Sequence, residues 1–312
     1  MAVTAAMIKE LRELTGVGMS MCKEALVEAD GNIEKAIEVL RKKGLAQAEK
    51  KAGRIAAEGL SYAYISEDNK VGVVVEVNSE TDFVAKNAQF QEFVNNVAKQ
   101  GVTSDAKDVE ALFTEKWVAD ESKTVKDALT EKIAVIGENL NIRRFAKFVN
   151  DGSGYMVSYL HAGGKVAVLV EFATDKKDDA LLEAGKNVAM QIAAMNPKYV
   201  QRSEISEDYL AKEREILIEA AKNDPKNANK PENIIAKMIE GKLNKELKEI
   251  CLVDQEYVKA EDKETVGQYV AKVAKEIGAN VSVKRFVRFE TGEGIEKKEE
   301  DFAAEVEKAI NG

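Results

Sequence analysis

Few residues in this 312-residue chain could carry covalent or metal chemistry. His161 is the only histidine, which excludes a site with two histidine ligands and leaves one imidazole for general-base catalysis. Cys22 and Cys251 lie far apart and outside any CxxC motif, so reduced cytosolic thiols are expected rather than a disulfide framework. No Walker, Asp-rich calcium or Gly-x-Ser-x-Gly motif occurs, and the carboxylates lie mostly at helix-surface spacing. The sequence therefore predicts a protein that is not an enzyme and holds no cofactor or metal.

A loop that carries an aromatic side chain offers a different chemistry, which is recognition of a partner. Asp82 and Phe83 follow shortly after residues 71–77, an apolar stretch typical of a strand. An aromatic residue at the end of a rigid strand can project as a contact. On pattern alone the favoured alternative is a helix N-terminus, with Thr81 or Asp82 as N-cap and Phe83 packed back onto the sheet.

Net charge and hydropathy restrict which classes of binding partner are expected. The net charge of -9 disfavours a general phosphate-binding or nucleic-acid-binding role. Residues 41–54 hold six basic side chains and one acidic one, but no aromatic residues interleave for base stacking, so we interpret them as a solvated helix end and linker. No apolar run is long enough to span a bilayer and no signal core is visible, so a cytoplasmic protein without membrane contact is expected.

The first 54 residues predict a three-helix bundle. Apolar residues recur at helical spacing in three stretches, separated by Gly16 and Gly18 and then by residues 30–31. Ser20 is expected to cap the second helix and Asn32 the third.

The rest of the chain is an internal repeat. Residues 136–148 align with 277–289 at an offset of 141, and residues 64–77 align with 159–172. Each copy predicts a hairpin, a helix, an excursion, a helix and a strand. The fold class expected is α+β, with two repeated subdomains that each hold a small antiparallel sheet of three strands faced by helices.

The two copies differ in length at two places. Between strand and helix the first copy has residues 78–89 where the second has only 173–180, and the extra residues fall at the Asp-Phe loop, which suggests function. The second copy gains a charged helical hairpin at about 206–250, whose second arm is expected to pack against Leu210, Ile216 and Leu217. Self-association or partner contact by this hairpin and simple cover of its own sheet are both open.

Beyond the second copy, Gly292 and Gly294 predict a flexible tether to a terminal helix around residues 301–306. The expected divisions are therefore residues 1–54, 55–150, 151–290 with the hairpin inserted, and 291–312.

Short motifs along the whole chain resemble those of the bacterial elongation factor Ts family. The loop at residues 78–86 has the family signature. Further matches occur in the family's order at residues 15–19, 22–23, 136–139, 142–144, 159–161 and 292–297. Residues 20–21, Ser-Met, depart from the family pattern of an apolar residue followed by Asp.

This resemblance implies a guanine-nucleotide exchange factor for the GTPase elongation factor Tu, with an N-terminal bundle of the ubiquitin-associated type. It implies that Phe83 enters an apolar pocket of the GTPase, that Asp82 fixes the loop, and that the Mg²⁺ and phosphate site of the partner is disturbed. A homodimer or 2:2 complex through the hairpin is a further expectation. The partner-binding residues implied are Thr81, Asp82, Phe83, Val84, Ile136, Gly137, His161, Val17, Gly18 and Met19.

The main alternative is a non-enzymatic adaptor whose N-terminal bundle binds a ubiquitin-like or nascent-chain partner. It predicts that residues 1–54 alone retain the activity. An acidic-site hydrolase would require a carboxylate cluster that the sequence does not show.

Overall fold

Helices and small antiparallel sheets are combined in this chain, as the α+β prediction requires. A computed structural model describes residues 2–227 and 230–296. Within those ranges there are eleven α-helices, two three-stranded sheets and one two-stranded sheet. Among the same residues, no helix combines the length and the apolar character needed to cross a membrane.

Three helices form the N-terminal bundle, namely α1 (Ala5–Thr15), α2 (Met19–Glu28) and α3 (Ile33–Lys51). Gly16 ends α1 in the left-handed conformation, and the Asn32 side chain accepts a hydrogen bond from Lys35 N at 2.9 Å, so these two predictions are confirmed. The prediction that Ser20 caps α2 is wrong. Ser20 lies inside the first turn of the helix, and its hydroxyl donates to the carboxylate of Glu24.

The first repeat begins with a hairpin and ends with a strand. Its elements are β1 (Glu58–Ile65), β2 (Val71–Ser79), α4 (Asp82–Ala85), α5 (Ala88–Thr103), α6 (Val109–Thr114), β3 (Lys116–Trp117), β4 (Asp120–Thr124), α7 (Val125–Ile136) and β5 (Asn141–Val149). The antiparallel sheet has the order β1-β2-β5. Val73, Val75 and Val77 point from β2 into a core formed with α5 and α7, while Val74 points to the opposite face.

The second repeat has the same strand order in its own sheet, β6-β7-β8. Its elements are β6 (Gly154–His161), β7 (Val166–Thr174), α8 (Asp179–Met195), α9 (Glu207–Asn223), α10 (Glu232–Ile250), α11 (Val266–Ile277) and β8 (Val281–Glu290). Val168, Val170 and Phe172 point from β7 into a core formed with α8 and α11. Leu169 lies on the other face.

Helices α9 and α10 form the hairpin that the sequence predicts. Leu243 and Leu247 on α10 pack with Leu210 and Leu217 on α9. The predicted packing of Ile216 is wrong, because this side chain is 59% exposed. Adjacent residues on a helix point about 100° apart, so Leu217 and Ile216 cannot both face the partner helix squarely.

The two three-stranded sheets pack against each other through the faces that the helices leave free. The residues of this interface include Ala63, Val74, Met156, Ala167, Leu169 and Phe289. Gly72 permits the close approach, since a Cβ at this position would lie 2.8 Å from Leu169 Cδ2 and 2.9 Å from Met156 Sδ. The central strands are therefore buried on both faces, which accounts for the nearly continuous apolar run at residues 71–77.

The segment interpreted as a solvated helix end and linker at residues 41–54 is mostly part of α3, and it packs on the first repeat. Arg41 lies 3.4 Å from the carboxylate of Asp127 on α7. Lys51 Nζ donates to Gly137 O at 2.7 Å, at the end of the same helix. Arg41 and Lys51 therefore join the bundle to α7. The interpretation as a helix end is confirmed, because α3 ends at Lys51, but the interpretation as a linker is wrong for the helical part.

The segment predicted to be a flexible tether also packs on the first repeat. Gly292 N donates to the buried Glu76 carboxylate at 2.8 Å, and Thr291 Oγ1 lies 2.9 Å from Ser61 Oγ. The tether prediction is therefore wrong for residues 291–295, because a buried carboxylate requires the Gly292 N–H as one of its donors. The predicted terminal helix at residues 301–306 lies outside the described residues.

Candidate partner-binding site

The Asp-Phe loop is a one-turn helix between the central strand and α5. Strand β2 ends at Ser79, and α4 begins at Asp82 after an extended residue, Thr81. Asn87 then caps α5 by accepting hydrogen bonds from the first backbone N–H groups of that helix. The prediction of a helix N-terminus at this point is confirmed.

Phe83 and Val84 are adjacent on this short helix and differ strongly in burial. The side chain of Phe83 is 79% exposed, whereas Val84 is 8% exposed and packs into the core of the first repeat. The prediction that Phe83 packs back onto the sheet is therefore wrong. A large apolar side chain held in water beside a buried neighbour has no role in the packing of the monomer, which favours a role in contact with another molecule.

Two charged side chains flank the exposed ring. Lys86 Nζ donates to Asp82 Oδ2 at 2.8 Å and lies 5.8 Å from the centroid of the Phe83 ring. The hydrogen bond from Lys86, with the charges of Lys86 and Lys165, lowers the pKa of Asp82 below its ordinary value. Asp82 is therefore a carboxylate at neutral pH, and it offers a hydrogen-bond acceptor next to the exposed ring of Phe83.

The C-terminal end of α7 supports the loop from the side. Gly137 ends the helix in the left-handed conformation, and Ile136 is half-buried against the first core. The carboxylate of Glu138 accepts hydrogen bonds from Thr81 N at 3.0 Å and from Thr81 Oγ1 at 2.6 Å. The structure thus brings the residues predicted around 81–84 and 136–137 together.

The turn before α2 lies on a different element, and its three predicted residues are not equivalent. Val17 is buried at 6% exposure and belongs to the core of the bundle. Gly18 is exposed, and Met19 is 50% exposed. Leu14 at the end of α1 is also exposed, so the bundle exposes two large apolar side chains in this region of the sequence, Leu14 and Met19.

His161 ends strand β6 of the second sheet and is exposed. Its Nδ1 lies 3.0 Å from the hydroxyl of Tyr159. The turn that follows reaches β1, because Lys165 Nζ donates to Glu58 Oε2 at 3.0 Å and Gly164 O accepts from Ser61 N at 2.8 Å. The second repeat therefore contributes positive charge beside the Asp82 loop.

Over the part of the chain that the structure describes, no group of three or more His, Cys, Asp or Glu side chains could hold a metal ion. Cys22 and Cys251 are both buried, and burial raises the pKa of the Cys251 thiol.

Two residues of the site, Glu138 and Lys86, were not among the predicted partner-binding positions. Both lie inside the motifs quoted above, at residues 136–139 and 78–86. The internal alignment contained a signal for Glu138. This residue aligns with Ala279 of the second copy, whereas the residues on either side of it, Gly and Asn, are identical in the two copies. A charged residue at one position of an otherwise similar pair could have been recognised as specific to the first copy.

Comparison with known proteins places these observations in a family. A family model described as elongation factor TS matches residues 80–293. The chain is 53% identical over 309 residues to elongation factor Ts of Clostridium novyi (strain NT), and this alignment covers 99% of both chains. It is 52% identical, with the same coverage, to elongation factor Ts of Clostridium botulinum (strain ATCC 19397 / Type A) and of Clostridioides difficile (strain 630).

Proposed function

This chain belongs to the elongation factor Ts family, and from that premise we propose that it is a guanine-nucleotide exchange factor that binds the GTPase elongation factor Tu and promotes release of GDP during translation elongation. The observation that carries this proposal is the exposed Phe83 on a short helix fixed by the buried Val84. The protein is proposed to act in the cytoplasm, where bacterial translation takes place.

Exchange of this kind requires no covalent step. A protein ejects a tightly bound nucleotide when it binds the nucleotide-free GTPase better than the loaded one, and this coupling is reciprocal. The protein must therefore offer a rigid platform and a few projecting side chains, and the buried sheets with the exposed Phe83 meet that requirement.

The first contact proposed is made by the Asp-Phe loop. Phe83 inserts into an apolar pocket between helices of the GTPase domain, and Asp82 forms polar contacts that orient the loop. Val84 and Thr81 fix the short helix that carries Phe83. Ile136 and Gly137 lie beside this helix. Displacement of the partner's helices would loosen its Mg²⁺ ion and phosphate loop, which lowers its affinity for GDP.

Two further patches are proposed to add affinity. Met19 and Gly18 of the bundle bind a second surface of the GTPase domain. Val17 is buried in the bundle core and stabilises the turn that carries them. His161 and the adjacent turn contact another domain of the partner. Linked patches raise affinity through effective concentration rather than through the chemistry of exchange.

The helical hairpin is proposed to serve assembly, as a homodimer or a 2:2 complex with the partner. Ile216, Ile218 and Ile234 are exposed on α9 and α10 although each is large and apolar. The hairpin packs mainly on itself and on the segments that join it to the second repeat. It is therefore suited to contact with a second molecule.

The test of the exchange function is the release of fluorescent GDP from purified elongation factor Tu, with Mg²⁺ present and excess unlabelled GDP as a trap. Full-length protein should accelerate release at substoichiometric concentration, because each molecule acts repeatedly. Absence of acceleration by folded protein would exclude this function. Acceleration by residues 1–54 alone would favour the adaptor, whose supporting observation is the exposed pair Leu14 and Met19.

A further inference from the structure

We propose that Glu138 is a positioning residue for the exchange reaction, which holds the Phe83 loop in the orientation that the partner meets. This inference rests on the proposed exchange function. It assigns to Glu138 a role through Thr81 rather than through contact with the GTPase.

Each polar group of Thr81, its N–H, its hydroxyl and its carbonyl, makes a hydrogen bond. Its N–H and hydroxyl donate to the two carboxylate oxygens of Glu138, at 3.0 and 2.6 Å. Its carbonyl oxygen accepts from Ser79 Oγ at 2.9 Å. The hydroxyl makes no capping bond to α4, although Thr81 occupies the N-cap position where such a bond is usual. The side chain is thus committed to Glu138, and Phe83 follows only two residues later.

The second repeat shows which part of this arrangement packing alone requires. In the first repeat Glu80 Oε1 accepts from Asn139 N at 2.6 Å, and in the second Asp175 Oδ1 accepts from Asn280 N at 3.1 Å. This bond joins the end of a strand to the end of a helix in both copies. It is therefore the common structural contact.

The clamp between Glu138 and Thr81 has no counterpart in the second repeat. The offsets of 141 and 95 align Glu138 with Ala279 and Thr81 with Lys176. The Ala279 methyl group cannot accept a hydrogen bond, and Lys176 Nζ instead donates to Ile277 O at 2.8 Å. The additional carboxylate clamp thus occurs in the copy whose connection carries an exposed aromatic residue.

A fixed base matters because an anchor that must be ordered on binding loses part of its contribution. The two bonds of Glu138 are charge-assisted and short, so they restrict the loop more strongly than neutral bonds would. Removal of the carboxylate should leave Phe83 exposed and present but less well oriented. The maximal rate of GDP release should then fall more than the affinity for the partner.

The test compares Glu138→Ala and Glu138→Gln in full-length protein. Gln can offer its amide oxygen to Thr81 N and its amide N–H to Thr81 Oγ1, so it should largely rescue the clamp. We expect Glu138→Ala to lower the maximal release rate about three- to tenfold and Glu138→Gln less than about twofold. Asp175→Ala is the matched control, since it removes a carboxylate at the strand end of the second repeat and should leave the release rate unchanged.

A double mutant separates positioning from loss of structure. In a Phe83→Ala background, Glu138→Ala should cause no further slowing, because the group it positions is absent. Equal slowing in both backgrounds, or no slowing in either, would overturn the proposal.

Hydrogen exchange of the free protein provides a readout that does not depend on the partner. Glu138→Ala should make the Thr81 amide exchange at least about tenfold faster while the Asn280 amide is unchanged. Unchanged protection of Thr81 would contradict the clamp. Failure of wild-type protein to accelerate GDP release would instead reject the exchange function. Hydrogen exchange would still show whether Glu138 protects the Thr81 amide.

Discussion

The two repeats build nearly the same scaffold and differ where the chain leaves the central strand. Glu76 and Glu171 are both fully buried, and each pairs with two basic residues on the neighbouring strand. A β-bulge follows each of them at the same place in its sheet. The common features of the copies therefore concern folding.

The interface between the copies is reciprocal. The Arg144 guanidinium lies 4.3 Å from the centroid of the Phe289 ring, and Arg285 lies 4.2 Å from that of Phe148. Because residues 144 and 285, and 148 and 289, correspond at the offset of 141, the two contacts exchange partners as in a symmetric dimer.

The difference lies between β2 and α5. Residues 80–87 connect them, whereas residues 175–178 suffice between β7 and α8. The additional residues supply α4, the exposed Phe83 and the clamped Thr81. The second repeat closes its sheet and helices without such a loop, and the function proposed above assigns the contact with the partner to the additional residues of the first repeat.

Exchange of the two connections should produce the largest effect. Replacing residues 80–87 with the sequence of residues 175–178 removes Phe83 together with its support, so stimulated GDP release should fall at least about 100-fold. The reverse insertion, in which residues 80–87 replace 175–178, is the matched control and should leave release unchanged. A folded loop-exchange variant with near-normal activity would break the assignment.

Stability should respond similarly in the two copies. Glu76→Gln and Glu171→Gln each leave two basic side chains without their carboxylate, and since those side chains are about a third exposed we expect each to cost about 2 to 3 kcal/mol. Chemical denaturation gives the free energy of unfolding for each. A large cost in one copy and none in the other would contradict the equivalence of the two scaffolds.

The environment of Glu76 also predicts a dependence of stability on pH. Burial by itself would raise the pKa of Glu76, but hydrogen bonds from Gly292, Asn78 and the two arginines outweigh it and lower the pKa. Its stabilising contribution is therefore present above the ordinary value of 4.5 and is lost as the pH falls through the lower value of the folded protein. The difference in stability between wild type and Glu76→Gln should stay constant near neutral pH and shrink in acid.

The bundle lies outside the repeats and should affect binding alone. Met19→Ser should raise the half-saturating concentration for GDP release about three- to tenfold with little change in maximal rate. Val118→Ser, at an exposed apolar residue between β3 and β4, is the control. A fall in maximal rate for Met19→Ser would mean that the bundle takes part in the exchange step itself.

The hairpin should have the smallest effect on exchange. Arg214 and Glu240 pair across its arms at 3.0 Å, and the apolar cluster keeps Leu210, Leu243 and Leu247 when the residues between this pair are removed, although it loses Leu217. Replacing residues 215–239 with a short Gly/Ser linker should therefore keep the fold and change release less than about threefold, since the repeats are untouched. Any self-association measured by sedimentation should decrease. Loss of most exchange activity would contradict a role in assembly.

Much of this architecture follows from periodicity. The helices of the bundle, the hairpin α9–α10 and the small sheets were predicted because apolar residues recur at spacings of 3.6 and 2. The contact between the two sheets was not predicted. Central strands buried on both faces read as continuous apolar runs, and such a run does not reveal whether its second face meets a helix or a sheet.

The candidate site was predicted less completely. The motif with Phe83 was found, yet pattern alone favoured a buried ring because a helix start does not show which of its apolar residues faces the core. Val84 takes that position instead. Glu138 was missed because its partner Thr81 lies 57 residues away, so that its signal lay in the alignment of the two copies and not in a local spacing of residues.

Phe83→Ala tests the central claim most directly, with Val84→Ala as the neighbouring control. The assay is stimulated GDP release from elongation factor Tu, combined with thermal unfolding of each variant. Loss of a central aromatic anchor costs about 2 kcal/mol or more, so Phe83→Ala should slow release about 10- to 100-fold and leave stability unchanged, since its ring is exposed. Val84→Ala should lower stability by about 1 to 3 kcal/mol. Normal release per folded molecule by Phe83→Ala, together with ready unfolding, would show that the ring serves the fold and would contradict the account.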